Sequence, residues 1–237
     1  MNRSFTVLVL ALACNHAGPS RREDPMPPTP PGNASPTSSS TPTDVPPGPG
    51  VTDADVEQHL TLAITAHGNR PDLAQKEAAL RWLTDHADRA YAIVIERAKA
   101  TPTPGLLEVV GRLGRPGATA WLAEQLRAAG PASGAAGIAL GRSPDPGARE
   151  ALREALAARE PDVVIAALDG LRLRGDRSVC PSLAPLASHT DAEVRYVWVR
   201  AGAALGCIDA AALHALATSD ADADVRRLAA ELAPSQP

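Results

Sequence analysis

Carboxylates, imidazoles, thiols and hydroxyls carry most protein chemistry, and their spacing decides what they can do. Asp220, Asp222, Asp224 and Glu231 occupy positions 1, 3, 5 and 12 of a calcium-binding loop, where they would surround Ca²⁺ with oxygens. The tight turn of such a loop needs glycine at its sixth position, and here Val225 stands there, followed by Arg226 and Arg227. The run DVRRLAAEL has instead the period of a helix, which points Glu231 away, so an acidic turn and a helix cap are expected. His59, His67, His86, His189 and His214 are scattered, with neither a His-Glu-x-x-His nor a paired Cys-x-x-Cys to bind zinc. The stretch GRLGRPG from Gly111 to Gly117 lacks the Lys-Ser/Thr of a phosphate loop, and Ser133 and Ser143 lack the Gly-x-Ser-x-Gly setting of an activated nucleophile. No catalytic set is found, and no metal, cofactor or small-molecule substrate is expected.

The arginines offer binding chemistry. Arg115, Arg142 and Arg174 occupy comparable positions at successive helix-to-helix turns, and stacked repeats would align them into a basic ridge for an acidic partner or for phosphate groups. The alternative is three solvated turn arginines. Nucleic acid is a poor match, because Lys plus Arg number 23 against 27 Asp plus Glu and the two signs are interleaved.

The thiols point to export. Residues 1–13 carry Arg3, an apolar run from Val7 to Ala13 too short to cross a membrane, and then Cys14, as expected of a signal peptide. Leu10 to Cys14, LALAC, resembles a bacterial lipobox, which implies a diacylglyceryl anchor on Cys14 and a lipid-anchored protein of the bacterial cell envelope. Ordinary cleavage after Ala13, leaving a soluble exported chain, is the alternative. Cys180 and Cys207 then remain as an even pair in a compartment that permits disulfides; a bridge would close a loop of about 26 residues and stabilise it by roughly 2 to 4 kcal/mol. Two separately packed thiols are equally compatible with the spacing.

These groups need elements to position them. Residues 14–50 are rich in Pro, Ser, Thr and Gly and hold too little apolar surface to offset ordering, so they read as a disordered tether behind the anchor cysteine. From residue 51 onward helical periodicity takes over. A leading helix capped by Asp53 is expected within 51–70, then helix pairs near 71–86 and 88–99, 105–113 and 117–129, 132–140 and 147–158, 162–173 and 177–188, and 192–205 and 209–218, with a closing helix near 222–233. Helix ends at Leu113-Gly114, Leu140-Gly141, Leu171-Arg172 and Leu205-Gly206 stand 27, 31 and 34 residues apart. Pro181 and Pro185 should kink their helix, and Gly134 and Gly137 should make theirs the soft point of the array.

At Asp191, Val194, Arg195, Leu205, Gly206 and Asp209, and again at Asp224, Val225 and Arg226, the chain resembles short bacterial HEAT repeats of the phycobilisome-lyase type. The resemblance covers about residues 71–233 and weakens toward the first copy, which lacks the Leu-Gly. It implies an all-α fold, a right-handed α-solenoid of about five hairpins over 71–237 with capping helices. A protein-protein interaction scaffold for an envelope partner is the expected function. Trp121, Glu124, Gln125, Arg153, Glu154 and His214 are its candidate groove residues beside the arginine ridge. A structural accessory without a discrete ligand is the alternative, and a lyase-like enzyme is suggested by the resemblance alone.

Overall fold

A computed structural model describes residues 50–65 and 70–234, all within the compact unit Pro47–Pro237. The expected signal peptide (residues 1–13), Cys14, residues 15–49 of the expected tether and His67 lie outside the described residues. Those residues form twelve α-helices and no strand. They are α1 (Asp53–Thr65), α2 (Arg70–Asp85), α3 (Ala87–Ala100), α4 (Pro104–Leu113), α5 (Pro116–Arg127), α6 (Ser133–Arg142), α7 (Gly147–Ala155), α8 (Pro161–Arg174), α9 (Cys180–Leu183), α10 (Ala192–Leu205), α11 (Ala210–Ser219) and α12 (Ala223–Leu232).

Local chemistry explains most of the ends. Thr52, and not Asp53, starts α1: its hydroxyl accepts from the Asp55 amide at 3.2 Å while the Asp55 carboxylate accepts from the Thr52 amide at 2.8 Å, a reciprocal capping box. Asp191 Oδ1 accepts from the amides of Glu193 and Val194 at the head of α10, and Asp222 Oδ1 accepts from those of Asp224 and Val225 at the head of α12. Four residues after each cap an arginine turns back. Arg195 Nη1 donates to the carbonyls of His189 and Thr190, and Arg226 Nη1 donates to those of Asp220 and Ala221. The Asp-x-x-Val-Arg run thus has one mechanical meaning in both copies: the acid caps, the valine buries, and the arginine closes the preceding loop on itself.

The C-terminal ends correct two of the expected anchors. Leu113 and Leu205 do end α4 and α10, with Gly114 and Gly206 in the left-handed region at φ 62° and 67°. Helix α6, however, continues through Gly141 to Arg142, and α8 runs past Leu171 to Arg174 before Gly175 at φ 69°. The residues that follow the first helix of each pair are therefore Gly114, Ser143, Gly175 and Gly206, spaced 29, 32 and 31, a more even period than the leucines suggest. Between α8 and α10 the expected second helix breaks into a 3-10 turn at Arg177–Val179, the single turn α9, and a second 3-10 turn at Ala184–Ser188. Pro181 and Pro185, which lack an amide hydrogen and crowd the preceding turn, sit inside this run.

Helix α6 lies against α4 and α8, α8 against α10, and α10 against α12, while α5 lies beside α7, and α1 packs against α2, α3 and α4. The buried face is made of leucine, valine and alanine, with Leu107, Leu122, Leu140, Leu152, Leu168 and Leu171 fully enclosed. Each such leucine contributes roughly 1.5 to 3 kcal/mol relative to exposure. Three of the helix contacts are close at glycine. A Cβ at Gly111 would meet the Ala139 carbonyl oxygen at 2.4 Å, one at Gly137 would meet that of Ala166 at 2.3 Å, and one at Gly141 would meet that of Gly170 at 2.6 Å. Backbone touches backbone there, so Gly137 marks the tightest packing of α6, where helix propensity alone had suggested a soft point. Gly134, one turn away, faces open space.

This asymmetry is testable. Gly137→Ala, which overpacks the α6–α8 contact, should destabilise by about 2 kcal/mol in urea unfolding, whereas Gly134→Ala should stabilise by about 0.5 to 1 kcal/mol through helix propensity. Equal and favourable effects from both would show that the helices can move apart without loss.

Candidate functional site

The three turn arginines face different tasks. Arg115 pairs with Asp88 on α3, and Arg142 pairs with Glu108 on α4. Arg174 makes no ion pair among the described residues; its Nη1 donates to the carbonyls of Leu140 at 3.1 Å and Ser143 at 2.7 Å. The Leu140 carbonyl already accepts from the Ser143 amide at 3.2 Å, so Arg174 adds a second donor there and also holds the carbonyl of Ser143, which follows α6 with extended backbone. Arg177 treats α10 in the same way, donating to the Gly206 carbonyl at 3.1 Å. The expected ridge is thus spent largely on joining one helix pair to the next.

Part of it nevertheless frames a cleft. Arg142 and Arg174 share with Arg112 and Arg149 an open depression of about 640 Å³, walled also by Gly141, Ser143, Pro144, Pro146, Leu173 and Asp176. Arg115 does not line it. Sequence spacing had singled out neither Arg112 nor Arg149, because they sit inside helices and are brought to the site only by packing across neighbouring pairs. Arg112 Nη2 reaches Glu77 at 3.5 Å and its Nε is buried without a hydrogen-bond partner. Glu108 is shared between Arg142 and Lys76, the latter at 2.7 Å. Arg149 pairs with Asp176 at 3.0 Å. Hydrogen bonds from Ser178, and then from Arg149, hold the Asp176 carboxyl down at about 2, so it stays charged throughout the neutral range.

The expected groove residues do not converge with this cleft. Glu154 lies with Arg127 and Glu150 in a separate groove of about 360 Å³ between α5 and α7, and Arg153 beside them is held by Glu150. Trp121 is half-buried against the core, Gln125 is half-buried, Glu124 is exposed, and His214 sits half-buried on α11. One aromatic cluster was missed. Trp82 stacks on His59 of α1 at 3.9 Å between ring centroids and tilts over His86 at 4.3 Å, while both imidazole Nδ1 atoms are hydrogen-bonded to backbone carbonyls. The spacing of four between Trp82 and His86 was legible, but the partner on α1 was not.

Three of the four carboxylates at the calcium spacing have other partners. Asp222 caps α12, Asp224 pairs with Arg227 at 2.8 Å, and Asp220 accepts from Arg195 Nε at 3.0 Å and Nη2 at 2.9 Å. The Arg195–Asp220 pair is well enclosed, with side chains 12% and 5% exposed. Arg195 lowers the Asp220 carboxyl below its ordinary range and is itself raised. Cys180 and Cys207 are joined in a disulfide with their Cα atoms 5.2 Å apart, linking the proline-broken segment to the turn after α10. No protein-family model and no curated protein matches the chain.

A carboxyl whose folded value is depressed contributes stability that is complete above its unfolded value near 3.9 and is lost as pH falls through the lower folded value. Asp220→Ala should accordingly cost about 3 kcal/mol at pH 7 in urea unfolding, with the gap to wild type narrowing below pH 4. A gap that is the same at pH 7 and pH 3 would mean that the charge on Asp220 contributes nothing.

Proposed function

We propose that the chain is a HEAT-like α-solenoid, built of about five helical hairpins with capping helices, that serves as a non-enzymatic scaffold for a protein partner at the bacterial cell envelope. A lipidated Cys14 and the Pro-rich tether hold it there. The observation that carries the proposal is the repetition of one device at one period. Asp191 with Arg195 and Asp222 with Arg226 build the same cap and closed loop, and helices α4, α6, α8, α10 and α12 each lie against the next. A unit of this kind leaves an apolar face for its neighbour to cover, and a succession of such units presents long surfaces in which no single residue need be reactive. The lipobox resemblance supports placing that surface outside the cytoplasm.

Photo-crosslinking in intact cells tests the scaffold, using the full chain with a photoreactive residue at Leu173 in the arginine cleft or at exposed Ala120 in the groove between α5 and α7. A discrete adduct with a protein from one face and not from the other is expected, together with release of Cys14→Ser from the membrane fraction. Absence of adducts from both faces would remove the scaffold, and Cys14→Ser that stays in the membrane would remove the anchor.

A further inference from the structure

In the arginine cleft cations outnumber acids. Four arginines, Arg112, Arg142, Arg149 and Arg174, line it against one lining carboxylate, Asp176, while Glu77 and Glu108 reach Arg112 and Arg142 from outside the lining. Other clusters are more evenly served, as where Arg195 has Asp220, Arg97 has Glu57, and Arg172 and Arg200 share Asp169. The surplus is localised in two side chains. Arg174 faces only backbone carbonyls, and Arg112 combines a long 3.5 Å contact with a buried Nε that has no acceptor. A buried donor without a partner is unfavourable, and an acceptor that reached it would relieve that cost. The partial negative charge at the end of α6 does not oppose an anion, because Arg174 already covers those carbonyls.

We propose that this cleft binds an acidic peptide segment of the partner, with Glu or Asp side chains seated among Arg112, Arg149 and Arg174. It rests on the scaffold reading and names the chemistry of the partner. Peptide is favoured over a bare oxyanion by the apolar part of the lining. Leu173 is 39% exposed although it is a large apolar residue, and Pro144 and Pro146 line the same cleft. Aliphatic carbon of a bound segment would cover these groups, whereas a phosphate ion would leave them in water. The guanidinium forks suit two-oxygen carboxylate ends, and a volume of about 640 Å³ accommodates several side chains.

Fluorescence anisotropy of labelled hexaglutamate with the full-length chain in detergent provides the test. Saturable binding is expected for hexaglutamate and none for hexaglutamine, weakening as salt is raised. Arg112→Gln and Arg149→Gln should each weaken it about fivefold or more, while Arg127→Gln, the same charge loss in the α5–α7 groove, should change it less than about twofold. Arg174 is left intact because it closes α6, and the melting temperature of each variant separates a lost contact from a lost fold. Equal losses in Arg127→Gln and Arg112→Gln, or no saturable binding, would overturn the proposal. So would inorganic phosphate that displaces the peptide as well as free glutamate does. Crosslinks from Ala120 alone would retain the scaffold and discard this cleft, so the two ideas fail separately.

Discussion

Contact of helix backbone with helix backbone is the constraint on which the middle of this molecule depends. Between α4, α6 and α8 the carbonyls of Ala139, Ala166 and Gly170 occupy the space in which side chains of Gly111, Gly137 and Gly141 would otherwise stand. With one Phe and two Tyr in 237 residues, the chain has few large rings with which to fill wide gaps between helices. Close axes are the alternative: they let alanine and leucine reach native packing density, since a void too small for water would simply forfeit contacts. The glycines cost helix propensity of about 1 kcal/mol each in exchange. The end of α6 must then be finished by other means, because its glycines stand inside the helix and Ser143 follows it.

Arginine supplies those means. Arg174 reaches the end of α6 and Arg177 the end of α10, while Arg195 and Arg226 each hold the loop that precedes their own helix. A guanidinium has five donors in a fixed fork, so one side chain can satisfy two carbonyls and still address a carboxylate, as Arg195 does with Asp220. Lysine at these positions would satisfy fewer acceptors from a longer and less ordered stem. The near balance of charge follows from this usage: most cations are internal mortar, and their acids stand one repeat away, as Arg200 and Asp169 do at 2.8 Å. The cleft among Arg112, Arg142, Arg149 and Arg174 departs from that balance, which gives it a different standing from the remaining surface.

The helices were legible because their caps are local chemistry. Asp191, Asp209 and Asp222 announce their helices by type and position, and the predicted starts of α10, α11 and α12 agree with the structure to within about a residue. The ends of α6 and α8 were less legible for an equally physical reason. Gly141 has the signature of a stop, yet its role is set by Gly170 on another helix, and no local pattern distinguishes a glycine that ends a helix from one that lets a neighbour approach. The cleft shows the same limit. Arg142 and Arg174 stood out by their turn positions, whereas Arg112 and Arg149 enter through contacts across 35 and 27 residues of chain, the Arg112–Glu77 and Arg149–Asp176 separations.

The segment between α8 and α10 follows from these rules. It has neither a long helix nor a glycine contact to hold it, since Pro181 and Pro185 divide it into single turns. Its apolar anchors are few, chiefly Val179, Leu183 and Leu186. Three side chains carry its noncovalent packing, and there the chain places the Cys180–Cys207 bridge, whose stabilising effect lies in limiting how far this segment can stray from α10 when unfolded. Arg177 ties the same two pieces through the Gly206 carbonyl, beside the disulfide. A covalent link and a cation thus stand where the other pairs have a continuous second helix, so the surface can run on past the break toward α12.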